Sequence, residues 1–194
     1  MILFFDTETT GLPDKYRPLD DYSQPSLVQL ALQLTDDDGE IEAQASLIVQ
    51  PGCPIPEKAT EVHGISDEKA EALGVKLVTA CALFDHMAAR ADLIVAHNIA
   101  FDKQIMQIAN SRVGRDPSFE YPIYCTMEAA APIVNLPPTE RMLAAGINRP
   151  KPPRLEECIR HFFDEELVGA HDALVDAAGC RRVFFHLRAL EGSK

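Results

Sequence analysis

The stretch Met1-Ile2-Leu3-Phe4-Phe5-Asp6-Thr7-Glu8-Thr9-Thr10-Gly11-Leu12 decides how the rest of the chain is read. Five residues from Met1 to Phe5 are apolar without a break, the pattern of a short strand buried on both faces. That strand ends in Asp6-Thr7-Glu8. Successive strand side chains alternate in direction, so Asp6 and Glu8 point the same way. Two carboxylates side by side at the end of a buried strand repel each other and lose hydration. A divalent cation relieves both costs, and hard oxygen ligands suit magnesium or manganese. Thr9, Thr10 and Gly11 then turn the chain, and Gly11 lets backbone approach a ligand closely.

Working outward, the chain of 194 residues is long enough to bury a substantial core, and residues 1–194 read as one domain. Apolar content of 46% and charged content of 25% fit an ordinary globular protein. No apolar run reaches transmembrane length, and no membrane partner is expected. The first apolar stretch has no basic segment ahead of it, unlike a signal peptide. Five cysteines, Cys53, Cys81, Cys125, Cys158 and Cys180, are odd in number and lack zinc-ligand spacing. They read as reduced thiols of a cytoplasmic protein. The net charge of −12 excludes a chain-wide basic footprint for nucleic acid. A polyanion would need metal ions and a local basic patch.

After Leu12, Pro13 to Ser26 reads as a long surface loop. Leu27 to Thr35 and Ile41 to Gln50 read as two strands joined by the turn Asp36-Asp37-Asp38-Gly39, a hairpin. The remainder of a calcium-binding loop is missing there, so the acids read as turn residues. Ser66 fits the N-cap of a short helix holding Lys69 and Ala70. Lys76 to Ala91 is an amphipathic helix, with Leu77, Cys81, Phe84 and Ala88 at helical spacing. Asp92 to Ala96 reads as a strand, Ile99 to Ser111 as a helix and Tyr121 to Thr126 as a strand. Helical stretches follow at Met127 to Ala131, within Thr139 to Ala145, at Arg154 to Phe163 and from Asp172 to about Leu190. A hairpin followed by alternating helix and strand argues for an α/β domain with a mixed sheet.

Two further sites join the first. In Ala96-His97-Asn98-Ile99-Ala100-Phe101-Asp102, a strand stops and Asp102 falls in the first turn of a helix. His97 reads as a structural residue that orients this turn. In Ala170-His171-Asp172-Ala173-Leu174-Val175-Asp176-Ala177-Ala178-Gly179, His171 precedes the last helix and Asp176 lies about a turn inside it. Small residues beside Asp176 let that helix approach a sheet closely. Its carboxylate can then reach those at the end of the first strand.

Together these motifs resemble the DEDDh group of 3′–5′ exonucleases, which includes the proofreading exonucleases of bacterial replicative polymerases. The resemblance runs from Ile2 to about Leu187. It rests on FDTETTGL at 5–12, HGI at 63–65, VAHNIAFD at 95–102 and AHDALVDA at 170–177. It implies a ribonuclease-H-like α/β fold with a central mixed sheet of five strands flanked by helices. Asp6, Glu8, Asp102 and Asp176 would be metal ligands, holding two divalent cations, Mg²⁺ or Mn²⁺. Asp6 would bridge the two, Glu8 and Asp176 would hold the one carrying the attacking water, and Asp102 would support the other. His171 would be the general base, and an imidazole suits that task near neutral pH. Thr9, Thr10, Gly11 and Leu12, with His63, Gly64 and Ile65, would cradle the terminal nucleotide, and Phe101 would pack beside its base. Two cations about 3.5–4 Å apart can serve both the nucleophile and the leaving group of phosphodiester hydrolysis.

The chain departs from the group in three places. Gln29 stands where many relatives have an acid, with an expected effect on packing more than on chemistry. The loop 13–26 is longer than in compact relatives and is expected to add a substrate lip. The chain ends at Lys194 without a long tail for tethering to a polymerase.

Between Arg141 and Arg154 lie four cations, Arg141, Arg149, Lys151 and Arg154, and no acid. Arg149, Lys151 and Arg154 are candidate contacts to a nucleic-acid backbone, and a solvated loop is the alternative. The expected activity is removal of nucleoside 5′-monophosphates from the 3′ end of single-stranded DNA. A DNA polymerase or a replication or repair factor is the expected protein partner. An RNA-trimming exonuclease and an inactive nucleic-acid-binding or protein-binding scaffold are the alternatives. The aspartic-protease pattern fails at Glu8, and no nucleotide-triphosphatase phosphate loop is present.

Overall fold

The N-terminal apolar run forms a strand, β1 (Ile2–Thr9), buried along Ile2 to Phe5 on both faces. The computed structural model describes residues 1–192, so Ser193 and Lys194 of the expected domain lie outside the described residues. β2 (Leu27–Thr35) pairs antiparallel with β1, and β3 (Ile41–Gln50) antiparallel with β2. The turn between them is built by Asp36, whose Oδ1 accepts from the amides of Asp38 at 3.0 Å and Glu40 at 2.9 Å.

Helices α1 (Glu57–His63) and α2 (Asp67–Leu73) follow, with Ser66 capping α2 as expected through Lys69 N at 3.3 Å. The sequence carries no sign of α1 because that helix buries only His63 and has no apolar stripe. β4 (Val75–Lys76) runs parallel to the end of β3. Then come α3 (Leu77–Ala88), β5 (Leu93–Ala96) and α4 (Ile99–Arg112). β6 (Ile123–Cys125), α5 (Thr126–Val134), α6 (Glu140–Ala144), α7 (Leu155–Phe163) and α8 (Ala173–Gly192) complete the order.

The sheet has six strands in the order β4-β3-β2-β1-β5-β6, not the expected five. The additional strand is β4, whose two residues are too few to show a period of two. Gly74 seats it: a Cβ there would lie 2.3 Å from Ala70 O and 2.9 Å from Gln50 N, so only glycine permits the approach. β5 is parallel to β1, and β6 is parallel to β5. The carboxyl ends of these three strands therefore open on one edge, where parallel sheets place their ligand crevices.

Strand alternation divides the core into two layers. Leu3 and Phe5 face α3 and α4, and Phe5 meets Phe84 edge-on with ring centroids 5.2 Å apart. Ile2 and Phe4 face α8, where Phe4 meets Phe184 at 5.3 Å. β2 obeys the same rule. Leu30, Leu32 and Leu34 join the α3/α4 layer, while Ala31 packs against Ala173 and Ala177 of α8. The small side chains at that last contact let α8 lie close to the sheet, as the sequence suggested. Burial of Phe5 on the α3/α4 face predicts that Phe5→Ala lowers unfolding free energy by about 3–5 kcal/mol. Urea titration with an unchanged m-value checks this.

Candidate active site

Four carboxylates meet at the carboxyl end of β1, and alternation along the strand sorts them. Asp6 and Glu8 share the face of Phe4 and look toward α8, which brings Asp176. Thr7 lies on the opposite face and looks toward α4, which brings Asp102. Thr7 donates twice to Asp102 Oδ1, from its amide at 3.1 Å and its hydroxyl at 2.8 Å. Asp102 is thereby fixed while only 2% exposed. The first turn of α4 reaches β1 because Asn98 takes a left-handed conformation, φ 72°, between β5 and α4. His97 pins the same turn, with Nδ1 2.9 Å from Thr126 Oγ1 and Nε2 3.0 Å from the carbonyl of Pro153. A carbonyl only accepts, so Nε2 carries the proton and Nδ1 accepts from the hydroxyl. His97 is thus the structural residue expected from the sequence.

On the α8 side, the helix begins at Ala173, leaving His171 in the preceding loop. Five residues of helix would have turned His171 and Asp176 about 140° apart. His171 instead adopts a left-handed backbone, φ 68°, and its amide donates to Asp176 Oδ2 at 3.2 Å. Asp172 Oδ1 accepts from Leu174 N at 2.9 Å at the start of the helix. Glu8, His171 and Asp176 each offer a ligand atom, all within 4.8 Å of one another. Asp176 Oδ1 is buried with no hydrogen-bond partner among the described residues. A buried acceptor facing other acids is what a cation would satisfy. Hard oxygen donors suit a divalent ion such as Mg²⁺ or Mn²⁺ more than a soft one.

Charge accumulates here without a basic partner to offset it. Burial, then the neighbouring Asp102, Asp176 and Glu8, holds the Asp6 carboxyl well above the usual range. Burial pushes Glu8 up to about 8, with Asp176 the next cause. Burial lifts Asp102 to about 7 against the opposing pull of its Thr7 bonds. Asp176 is also raised, chiefly by burial, with the His171 amide working the other way. The carboxylates line an open cleft of about 400 Å³, walled by Leu12, Phe101, Met127, Pro153, Leu155 and Leu167 among others. The arrangement can bind divalent cations and admit a phosphate beside apolar walls.

The sequence pattern of the exonuclease family RNase_T matches residues 3–184. The chain belongs to that exonuclease family, and its acids and histidine make it the DEDDh type. It is 29% identical over 133 residues to a DNA polymerase III subunit epsilon-like protein of Rhodobacter capsulatus, covering 66% of this chain and 17% of that one. Escherichia coli exonuclease I in complex with a dA16 oligonucleotide superposes with a TM-score of 0.75 at 20% identity, over 99% of this chain and 41% of that one. Exonuclease X bound to 5′-overhanging duplex DNA superposes at 0.61 and 21% identity, over 99% of this chain and 93% of that one. The chain spans about two fifths of exonuclease I and less than a fifth of the Rhodobacter relative. The fold is ribonuclease-H-like, as the resemblance implied.

The remaining site candidates of this chain separate in space. Leu12, Phe101 and Arg154 line the cleft with the five central residues, and Leu12 is 86% exposed at its mouth. Thr9 ends β1 and Thr10 and Gly11 form the bend after it, closed by Thr9 Oγ1 donating to Gly11 O at 2.7 Å. His63 and Ile65 are buried, and Gly64 ends α1 in a left-handed turn of φ 69°. His63 Nδ1 accepts from Ile65 N at 3.1 Å, which leaves the proton on Nε2. The basic stretch does not act as a unit. Lys151 Nζ is held by both oxygens of Glu157, at 2.6 and 2.7 Å. Arg149 lines a separate hollow with Asn135, Leu136 and Asn148. Arg154 stays 74% exposed in its side chain beside Glu156. Thr7 went unnoticed in the sequence, although its place between two same-facing acids forces it toward the other helix layer.

The raised carboxylates make a pH prediction. They hold protons in the fold that the unfolded chain releases near its ordinary values, 4.5 for Glu8 and 3.8 for Asp102. The stability these two groups contribute is therefore full below about pH 4 and is lost as pH rises through 7 to about 8. His97, pushed down to about 4 by burial, has the opposite effect below its ordinary 6.5. The carboxylate effect is thus cleanest between pH 6.5 and 8. In excess chelator the melting temperature should fall across that window, and saturating Mg²⁺ should remove most of the fall. Scanning fluorimetry with and without Mg²⁺ checks both.

Proposed function

We propose that this chain is a metal-dependent 3′–5′ exonuclease acting on the 3′ end of single-stranded DNA and releasing nucleoside 5′-monophosphates. The observation that carries the proposal is the meeting of Asp6, Glu8, Asp102 and Asp176 with His171 at one strand end. Residues 1–194 would form a single exonuclease domain working in the cytoplasm. No described helix is long and apolar enough to cross a membrane. Its protein partner would be a DNA polymerase or a replication or repair factor, a reading supported by the epsilon-like relative.

The four carboxylates would hold two divalent cations, Mg²⁺ or Mn²⁺, with Asp6 between Glu8 and Asp176 on one side and Asp102 on the other. When bound, such cations offset the charge of the phosphate and make water more acidic. The chain's own residues do the rest. Thr7 keeps Asp102 in one rotamer, so its carboxylate would need little reorganisation to bind. His171 suits a general base because its backbone is tied to Asp176 while its ring makes no hydrogen bond with the described residues. Leu12 and Phe101 would offer apolar surface to the terminal bases. The exposed Arg154, whose Nη1 donates to Glu156 Oε1 at 3.3 Å, would meet a backbone phosphate.

An RNA-trimming activity is the second reading, since a 2′-hydroxyl is accepted or refused by local geometry. End-labelled single-stranded DNA, duplex DNA and RNA of one sequence, degraded with Mg²⁺, Mn²⁺ or chelator, distinguish the two. Hydrolysis should stop in chelator and in Asp6→Asn. His171→Ala should lose about 10²–10⁴-fold in single-turnover rate while still binding Mn²⁺ by calorimetry. Activity that persists in excess chelator would rule out the proposal.

The basic residues should now behave differently from one another. Arg154→Ala should weaken single-stranded DNA binding and lower the salt slope by about 0.7 per lost phosphate contact. Lys151→Ala should leave that slope unchanged and instead loosen the start of α7, where Glu157 also accepts from Arg154 N at 2.7 Å. Fluorescence anisotropy across a salt series, beside amide exchange at α7, measures both.

A further inference from the structure

Gln29 sits beside the cluster without being part of it. It lies directly across from Glu8 in the β1–β2 ladder, so both side chains leave the same face of the sheet. That face is covered by α8. The Gln29 side chain is only 5% exposed and reaches the start of this helix. Its Oε1 accepts from the amide of Ala173 at 3.2 Å. Its Nε2 donates to Ser46 Oγ on β3 at 3.2 Å. Because the Ala173 amide can only donate, the orientation of the Gln29 carboxamide is determined.

The first amides of a helix have no partner inside it. At α8 two of them are met by side chains of different origin. Asp172 accepts from Leu174 within the loop, whereas Gln29 accepts from Ala173 across 144 residues of sequence. Only the second bond joins the helix to the sheet. The contact nearest the site, Ala31 against Ala173 and Ala177, is between small side chains, while Phe184 against Phe4 and Arg181 Nη1 donating to Gly39 O at 2.7 Å hold α8 two to three turns further along. The directional bond at Ala173 fixes the end of the helix that carries the site. Asp176 stands three residues further along the helix, and His171 two residues before it. The bond at Ala173 is thus the anchor of α8 to the sheet that lies nearest both residues.

We propose that Gln29 is a positioning residue of this site: its amide anchors α8 to β2 and so sets the distance of Asp176 and His171 from Glu8. The inference rests on the exonuclease reading above. An uncharged side chain does this without adding a further negative charge beside Glu8, whose carboxyl burial and acidic neighbours already disfavour as an anion.

The test compares Gln29→Leu, Gln29→Asn and Gln29→Glu with the parent chain. Leucine keeps volume and removes the acceptor. Asparagine keeps the amide but shortens its reach by one methylene. Glutamate keeps both length and acceptor. Amide exchange at Ala173 should quicken in the leucine and asparagine variants and stay protected in the glutamate variant. Mn²⁺ affinity, measured by calorimetry, should fall about 10–100-fold in the first two, the usual size for losing a residue that orients a ligand. Single-turnover hydrolysis should fall with it, while the oligonucleotide KM stays the same. Val49→Ala, in the α3/α4 layer, serves as a control that lowers stability without changing exchange at Ala173 or Mn²⁺ affinity. Should the leucine variant fail to fold, the asparagine variant decides. Parent-like exchange and Mn²⁺ affinity in a folded Gln29→Asn would overturn the role of Gln29 alone. A parent chain that neither binds Mn²⁺ nor shortens DNA would overturn the reading of the site and this inference with it.

Discussion

Four acids crowded against the end of one buried strand are the constraint on which the rest of this structure depends. Left to themselves, such groups would separate or take up protons, because burial and mutual repulsion both penalise their charge. Here separation is blocked. β1 is the central strand with partners on either side and helices over both faces, so its end cannot move toward solvent. Phe4 and Phe5, packed into opposite layers, hold Asp6 and Glu8 to within one strand step of the dry core. The fold stores unfavourable electrostatics that a divalent cation would turn into affinity.

Each acid is held by a different device, and each device belongs to the element that carries it. Asp6 and Glu8 are oriented by strand alternation. Asp102 is oriented by Thr7, the residue between them, which reaches through to the other layer. Asp176 is oriented by a helix seated on alanines, with the His171 amide on one of its oxygens. None of these supports is a positive charge. Neutral donors fix carboxylates while leaving their charge for something else to neutralise, whereas a lysine or arginine in the same place would compete with a cation. The basic residues nearest the cleft form their ion pairs with other acids than these four. Lys151 is spent on Glu157, and Arg154 remains at the rim.

The cleft has apolar walls on a strongly acidic chain, and the combination has a physical logic for a nucleic-acid substrate. A net charge of −12 repels a polyanion at long range. Under the proposed function, close contact would come from short-range terms: cations at the scissile phosphate, Arg154 at the rim, and Leu12 and Phe101 against bases. Leu12 extends from the bend after β1 into the loop 13–26. That loop is stiffer than its composition suggests, because the buried Gln24 accepts from Asp14 N at 3.0 Å and its amide donates to Asp14 O at 2.8 Å. Arg112 of α4 braces the same segment from below, bonding Pro25 O at 2.9 Å.

How much of this could be read beforehand depended on whether a feature is local. The unbroken run at Met1 to Phe5 and the alternation of Asp6 and Glu8 were legible in the sequence, since each follows from the geometry of one strand. The same holds for the hairpin, for Ser66 as a cap and for the break that frees His171 from α8. Motif order was sufficient to bring Asp102 and Asp176 to the first strand. Tertiary structure alone decided the rest. It added β4, whose two residues pair only because Gly74 admits them. It removed Lys151 from the basic patch by supplying Glu157 one helical turn into α7. It chose Thr7 and Gln29 as the residues that hold Asp102 and α8, through bonds spanning 95 and 144 positions. Periodicity and spacing report which face a residue occupies, but which partner waits on that face is settled only when distant segments pack.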